Sequence, residues 1–187
     1  YFLPNADPIY KVSIIPRGRA LGVTQQLPSE ERHNYSEGYL NDKVCVFMAG
    51  RVAEKLLLGS VSSGADDDIQ QATALARSMV SRWGMSDEVG PMDLRESSEH
   101  PFLGKQISQP RLHSEMLSRR VDKAVQEILI KAEGRAGEII EANEEKLRKL
   151  ISLLEKDETL GRQEIISCLG KPARDSASIR ILRPKGE

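Results

Sequence analysis

The sequence predicts a mainly α-helical fold, with a small β-hairpin or sheet near the N-terminus. Three observations carry that reading. Apolar residues recur at three- and four-residue spacing along most of the chain after residue 36. Only the stretch from Ile9 to Leu27 has a strand-like pattern. Glycines, prolines and small polar residues stand where those periodic runs begin and stop. At 187 residues, 39% hydrophobic and 29% charged, the chain has the composition of an ordinary soluble domain with one sizeable core.

Taken in order, Tyr1-Phe2-Leu3 runs into Pro4 without an initiator Met and reads like the last turn of a helix stopped by proline. A chain cut inside an element would look this way. Val12-Ser13-Ile14-Ile15, the connection Pro16-Arg17-Gly18-Arg19-Ala20 and Leu21-Gly22-Val23-Thr24 then read as a hairpin or paired strands. Pro28 to Tyr35 is a polar loop. Ser36 is placed to cap a helix to about Leu58, with Leu40, Val44, Phe47, Met48, Val52 and Leu56 on one face and Gly59 ending it. The loop Ser60 to Ala65 leads into a helix whose stripe is Ile69, Ala72, Ala76, Met79, Val80 and Trp83, closed by Gly84.

Met85 to Pro110 lacks periodicity and reads as an irregular connection or a flap. Ser114 to Ala142 is a long amphipathic helix bearing Leu117, Val121, Val125, Ile128, Leu129, Ala132, Ala136 and Ile139, weakened near Gly134 and Gly137. Asn143 is placed to cap the helix Glu144 to Glu155, whose apolar face is Leu147, Leu150, Ile151 and Leu154. A short helix follows, with Leu160 and Ile165 at staple spacing around Gly161 and Glu164 at the capping-box carboxylate position. The tail, residues 171–187, has five basic and two acidic residues and no periodicity, as a frayed basic tail would.

Charge excludes some functions. Lys plus Arg (27) and Asp plus Glu (28) leave a formal charge of -1, so no broad basic field is available for nucleic acid or an anionic membrane. No apolar run reaches the roughly 20 residues a membrane-spanning helix needs, so no membrane segment is expected in this chain. Cys45 and Cys168 lie in helical apolar patterns and read as small core residues of a reducing compartment.

One segment carries chemistry. Ser62-Ser63-Gly64-Ala65-Asp66-Asp67-Asp68-Ile69 puts three carboxylates into a first helical turn. One reading is complementation of the helix dipole and of free N–H groups. The other is a metal site. At roughly 100° per residue, Asp67 points almost opposite the apolar stripe while Asp68 lies at its edge. A carboxylate there should be paired, hydrogen-bonded or metal-bound, which makes Asp68 the candidate ligand. A zinc site needs more donors. The histidines are His33, His100 and His113, none four residues from another, so no helix presents a chelating pair. No phosphate-binding glycine loop, Cys-x-x-Cys or Gly-x-Ser-x-Gly motif is present.

The run Gly64-Ala65-Asp66-Asp67-Asp68-Ile69, followed by Ala72-Thr73, Ala76-Arg77, Met79-Val80 and Trp83-Gly84-Met85-Ser86, closely resembles the peptidase domain of FtsH, the membrane-anchored ATP-dependent zinc metalloproteases. Ile15-Pro16-Arg17-Gly18-Arg19-Ala20-Leu21-Gly22 and Ala49-Gly50-Arg51-Val52-Ala53-Glu54 extend the likeness to about residues 1–170, the expected peptidase portion. The resemblance implies zinc held by two histidines of a His-Glu-x-x-His helix and by an aspartate at the position of Asp68, with the motif's glutamate as general base. In the family that helix stands just before residues resembling Tyr1-Phe2-Leu3-Pro4.

The resemblance further implies a parent enzyme that degrades membrane and cytosolic proteins. Its ATP is bound by a domain N-terminal to this one, it forms a homo-hexameric ring, and, if bacterial, its protease domain lies in the cytoplasm. The isolated chain, holding no catalytic residue and one ligand, is expected to be soluble and inactive. Around Arg17 and Arg19, a solvated basic hairpin loop stands beside an exposed strand edge that binds unfolded polypeptide. The C-terminal helices read equally as core or as ring contacts. Ala49 stands where the family often has a glycine pair, and Arg120 takes a commonly apolar place. A non-catalytic scaffold that holds substrate or supports assembly is the alternative, and Asp68 argues against it because a dead site has no need of that residue.

Overall fold

The computed structural model describes residues 1–16, 18, 22–26, 34–94 and 114–174. The second strand-loop arginines Arg17 and Arg19, most of the polar loop before Tyr35, the connection from 95 to 113 and the tail from 175 lie outside the described residues. Where one core was expected, the described residues form two compact units, Tyr1–Tyr35 with Glu138–Glu187, and Ser36–Gly137. Local periodicity is blind to that division because the first unit joins the two ends of the chain.

In the first unit, β1 (Ile9–Ser13) is the central strand of a three-stranded antiparallel sheet, flanked by β2 (Val23–Gln26) and β3 (Thr159–Gly161). The pairing of Ser13 with Val23 and Val12 with Thr24 bears out the paired strands, with an irregularity between Ile9 and Lys11. β1 starts at Ile9, where the strand-like pattern begins, but ends sooner than the run Val12 to Ile15 indicates. Ile14 and Ile15 lie beyond the strand and are exposed. There Ile14 N–H donates to the Glu158 carbonyl at 2.9 Å, and Ser13 Oγ meets Thr159 Oγ1 at 2.7 Å. β3 escaped the sequence reading because three residues show no alternation.

The helices of this unit are α4 (Glu144–Asp157) and α5 (Arg162–Leu169). Leu154, Leu160, Ile165, Cys168 and Leu169 form the core, with Tyr1, Phe2, Ile9 and Val12 packed on it. Leu160 and Ile165 are 1% exposed and Glu164 Oε2 accepts from Gly161 N at 2.6 Å, so the staple and the carboxylate half of the capping box are both present. Two expectations are corrected. Tyr1–Leu3 is not helical: Tyr1 and Phe2 pack on the core of this unit and Leu3 is buried. Asn143 does not cap α4 with its side chain. Its Nδ2 instead donates to the Ile139 carbonyl at 2.9 Å and satisfies the end of the preceding helix.

The second unit is built on α1 (Glu37–Leu58), α2 (Asp66–Ser81) and most of α3 (Glu115–Ala142). Ser36 caps α1 by accepting from Tyr39 N at 3.3 Å, and Gly59 closes it at φ 72°. Tyr39, Leu40, Val44, Cys45, Met48 and Val52 are buried, while Leu56 near the helix end is exposed. On α2 the buried stripe is Ala72, Ala76, Met79 and Val80; Ile69 and Trp83, expected on it, are exposed at 39% and 40%. Ile69 stands in the first turn of α2 and Trp83 two residues past its last. Ala76 and Val80 pack with Val121, Ala124 and Val125 of α3 and with Val89 and Leu94 of the following turn.

α3 runs unbroken through Gly134 and Gly137, contrary to the expected weakening. Arg135 between them donates from Nη1 to Oδ1 of Asp42 at 2.6 Å, Asp42 being 1% exposed, and a Cβ on Gly137 would meet Val52 of α1 at 3.8 Å. Tertiary contact thus outweighs the roughly 1 kcal/mol propensity cost of each glycine. Arg120, in its unusual place, is exposed and its guanidinium donates to the Glu88 carbonyl. Cys45 and Cys168 are both buried and free, as expected of core thiols.

Gly84 ends the α2 segment under two separate constraints. Its φ is +62°, and a Cβ there would stand 2.8 Å from Pro91 Cα. Gly90 shares only the first constraint, at φ +83° with open space around it. Equilibrium urea unfolding should therefore show Gly90→Ala costing about 1 kcal/mol for the left-handed backbone. Gly84→Ala should cost about 3 kcal/mol, the excess being the backbone clash. Equal losses would show that the Pro91 contact is not tight.

Candidate functional site

The acidic helix start is presented by a short loop that returns from α1. After Gly59, the chain forms a single 3-10 turn, Ser63–Ala65, and passes directly into α2. Ser62 caps the turn, its Oγ accepting from Gly64 N at 3.1 Å. Ala65 at the head of α2 has no side chain able to cap, so the charges of the first turn complement its free N–H groups.

The three carboxylates differ as the helical angle requires. Asp66 and Asp67 are exposed and Asp68 is half-buried. Asp68 leans on α1: a Cβ on Gly50 would lie 3.7 Å from its Oδ2. It makes no hydrogen bond or ion pair with another described residue. A half-buried carboxylate left in that condition keeps its lone pairs available to an outside donor or cation.

One turn beyond Gly50 on the same face of α1, Glu54 holds the loop. Its Oε2 accepts from Ser62 N at 2.7 Å and its Oε1 accepts from Ser62 Oγ at 2.9 Å. These bonds, the backbone one first, hold the Glu54 carboxyl below its usual range, aided by nearby Arg51. Glu54, Ser62 and Gly50 were not legible as a group. Glu54 and Ser62 are separated by a helix end and a left-handed turn, a geometry that spacing alone does not reveal.

Zinc requires several donors around one point. Among the described residues, no group of three or more His, Cys, Asp or Glu side chains comes together in that way. His33, His100 and His113 lie outside the described residues. The described residues therefore do not by themselves make a zinc site. Cys45 adds nothing: burial raises its pKa, against the pull of Arg135 and with the push of Asp42, so its thiol stays protonated at neutral pH. Among the described residues no helix is long and apolar enough to cross a membrane.

The family model described as peptidase family M41 matches residues 1–168. An ATP-dependent zinc metalloprotease FtsH of Hahella chejuensis is 61% identical over 169 residues, 90% of this chain and 27% of that protein. Its counterpart in Pelobacter propionicus is 46% identical over 168 residues, again 90% and 27% of the two chains. ATP-dependent zinc metalloprotease FtsH 4 of Sphaerobacter thermophilus is 46% identical over 178 residues, 95% of this chain and 27% of the relative. The chain thus spans about a quarter of the length of the relatives it matches.

The Glu54 clamp has a pH signature. A carboxylate whose folded pKa is depressed stabilises the fold above its unfolded pKa, and that contribution disappears as pH falls through the folded value. Wild type should therefore be more stable than Glu54→Ala at pH 7, with the gap closing below about pH 4. Urea unfolding across pH 2.5 to 7 reads it. A gap independent of pH would mean that the ionised carboxylate is not what holds Ser62.

Proposed function

The chain belongs to peptidase family M41, and from that premise we propose that it is the peptidase-domain portion, residues 1–170, of an ATP-dependent zinc metalloprotease. Asp68 is its zinc ligand. The observation that carries the assignment is Asp68 itself, the one half-buried carboxylate of the acidic helix start, without a described partner and turned to the α1 face at Gly50. The names of the relatives supply the metal and the reaction class. Asp66 and Asp67 are dipole charges in this reading.

The parent protein hydrolyses peptide bonds of membrane and cytosolic proteins, drawing on ATP bound by a domain outside this chain. It is a membrane-anchored homo-hexamer, with the protease domain in the cytoplasm if the protein is bacterial. The histidine ligands and the general base belong to a His-Glu-x-x-His helix that is not among these 187 residues. Unfolded polypeptide is the substrate, and β2 supports that reading: it is an outer strand of the sheet, and Val23, Thr24, Gln25 and Gln26 are all exposed. Backbone pairing along such an edge carries little side-chain preference. Residues 171–187, with five basic and two acidic residues, follow the peptidase portion in the sequence.

Two measurements test the assignment. Metal-washed 187-residue chain should hold far less than one zinc per molecule and show no peptidase activity, because one carboxylate provides neither the ligands nor the base. In the parent protein, Asp68→Asn should abolish casein hydrolysis and weaken zinc binding at least tenfold, whereas Asp66→Asn and Asp67→Asn should leave both near wild type. Unchanged zinc affinity in Asp68→Asn would falsify the ligand role.

A further inference from the structure

In the first unit, the residues that follow the last helix are bonded back to the first residues of the chain. α5 ends at Leu169, and Gly170 follows at φ 85° and ψ -165°, a backbone state open essentially only to glycine. After Pro172, Ala173 N–H donates to the Tyr1 carbonyl at 3.1 Å and Arg174 Nη1 donates to the Asn5 carbonyl at 3.3 Å. Tyr1 supplies a third bond, its hydroxyl donating to the Gly170 carbonyl. Residues 170–174 thus hold the segment Tyr1–Asn5 at both of its ends. The side chains between those ends face the core. Phe2 stands edge-on to Tyr1 with ring centroids 5.3 Å apart, Lys146 Nζ of α4 lies 5.2 Å from its centroid, and both rings pack on the Leu154, Leu160 and Ile165 cluster.

We propose that Gly170–Arg174 is a strap that latches Tyr1–Asn5 onto the α4–α5 core. Its donors come from beyond residue 168, where the match to family M41 ends, so membership of that family does not account for them. The groups it holds at Tyr1 and Asn5 are backbone carbonyls, so it restrains the main chain directly. The peptide units concerned carry the N–H groups of Phe2 and Ala6. Tyr1–Asn5 leads into β1, the central strand of the sheet, and the strap fixes the start of that run without taking part in the strand pairing. Its release frees the first segment while the sheet and the helices remain folded.

Backbone 15N relaxation in the 187-residue chain tests the strap, with the variants Ala173→Pro, Ala173→Gly and Arg174→Ala. In wild type the Phe2, Leu3 and Ala6 amides should have order parameters near about 0.85, the value of rigid backbone. Ala173→Pro removes the donor to Tyr1 and should take Phe2 and Leu3 below about 0.6, while Leu160 and Ile165 stay near about 0.85. Ala173→Gly keeps the N–H and should keep Phe2 and Leu3 rigid. Arg174→Ala should loosen Ala6 more than Phe2. Phe2 and Leu3 that are already mobile in wild type, or that stay rigid in Ala173→Pro, overturn the proposal. Order lost equally at Leu160 and Ile165 overturns it as well, because the contact is then part of the core and cannot be released alone.

Discussion

Asp42 puts a carboxylate 1% exposed into the second turn of α1, where burial demands a partner for its charge. A buried carboxylate stripped of its partner costs about 3 to 5 kcal/mol. Arg135 supplies a charged donor at 2.6 Å from the far end of a 28-residue helix. Because Arg135 is itself 42% exposed, part of that cost is relieved by water. The pair still has a geometric consequence. It joins α3 to α1, and near it a Cβ on Gly137 would stand 3.8 Å from Val52 of α1.

With α3 held, α1 is left with a second face for α2, and the site is assembled on it. Gly50 and Glu54 lie one turn apart there. Gly50 offers a place without a side chain, where the Asp68 carboxylate settles, and Glu54 holds the loop that delivers it. The apolar half of the same helix pair, Ala72, Ala76, Met79 and Val80, is buried by the other parts of the unit. Small alanines let α2 approach closely. One helix thus carries both kinds of contact: Ala76 and Val80 of α2 pack against α3, and before its N-terminal end Ser62 is bonded to Glu54 of α1.

The legible and illegible parts of the sequence divide along the range of the forces involved. Ser36, Gly59, Glu164 and the Leu160–Ile165 staple act within a few residues, and each does in the structure what its local chemistry indicates. The angular argument separating Asp68 from Asp67 also holds, because it depends only on helix geometry. What could not be read depends on distant partners. Asp42 looks like a polar residue on a broad apolar face until Arg135, 93 positions later, is placed against it. β3 and the second core depend on the chain's two ends meeting. Glu54 stands in a recognisable motif, yet its role appears only when the Gly59 turn brings Ser62 back to it.

In the proposed function, Asp68 is the carboxylate that this chain contributes to a zinc centre. Zinc-edge anomalous diffraction from crystals of the parent protein examines that placement directly. The account predicts one strong peak about 2.0 to 2.2 Å from an Asp68 carboxylate oxygen, with Glu54 still bonded to Ser62 and away from the metal. A fully coordinated zinc with Asp68 turned away from it, or with Glu54 in its place, would contradict the account.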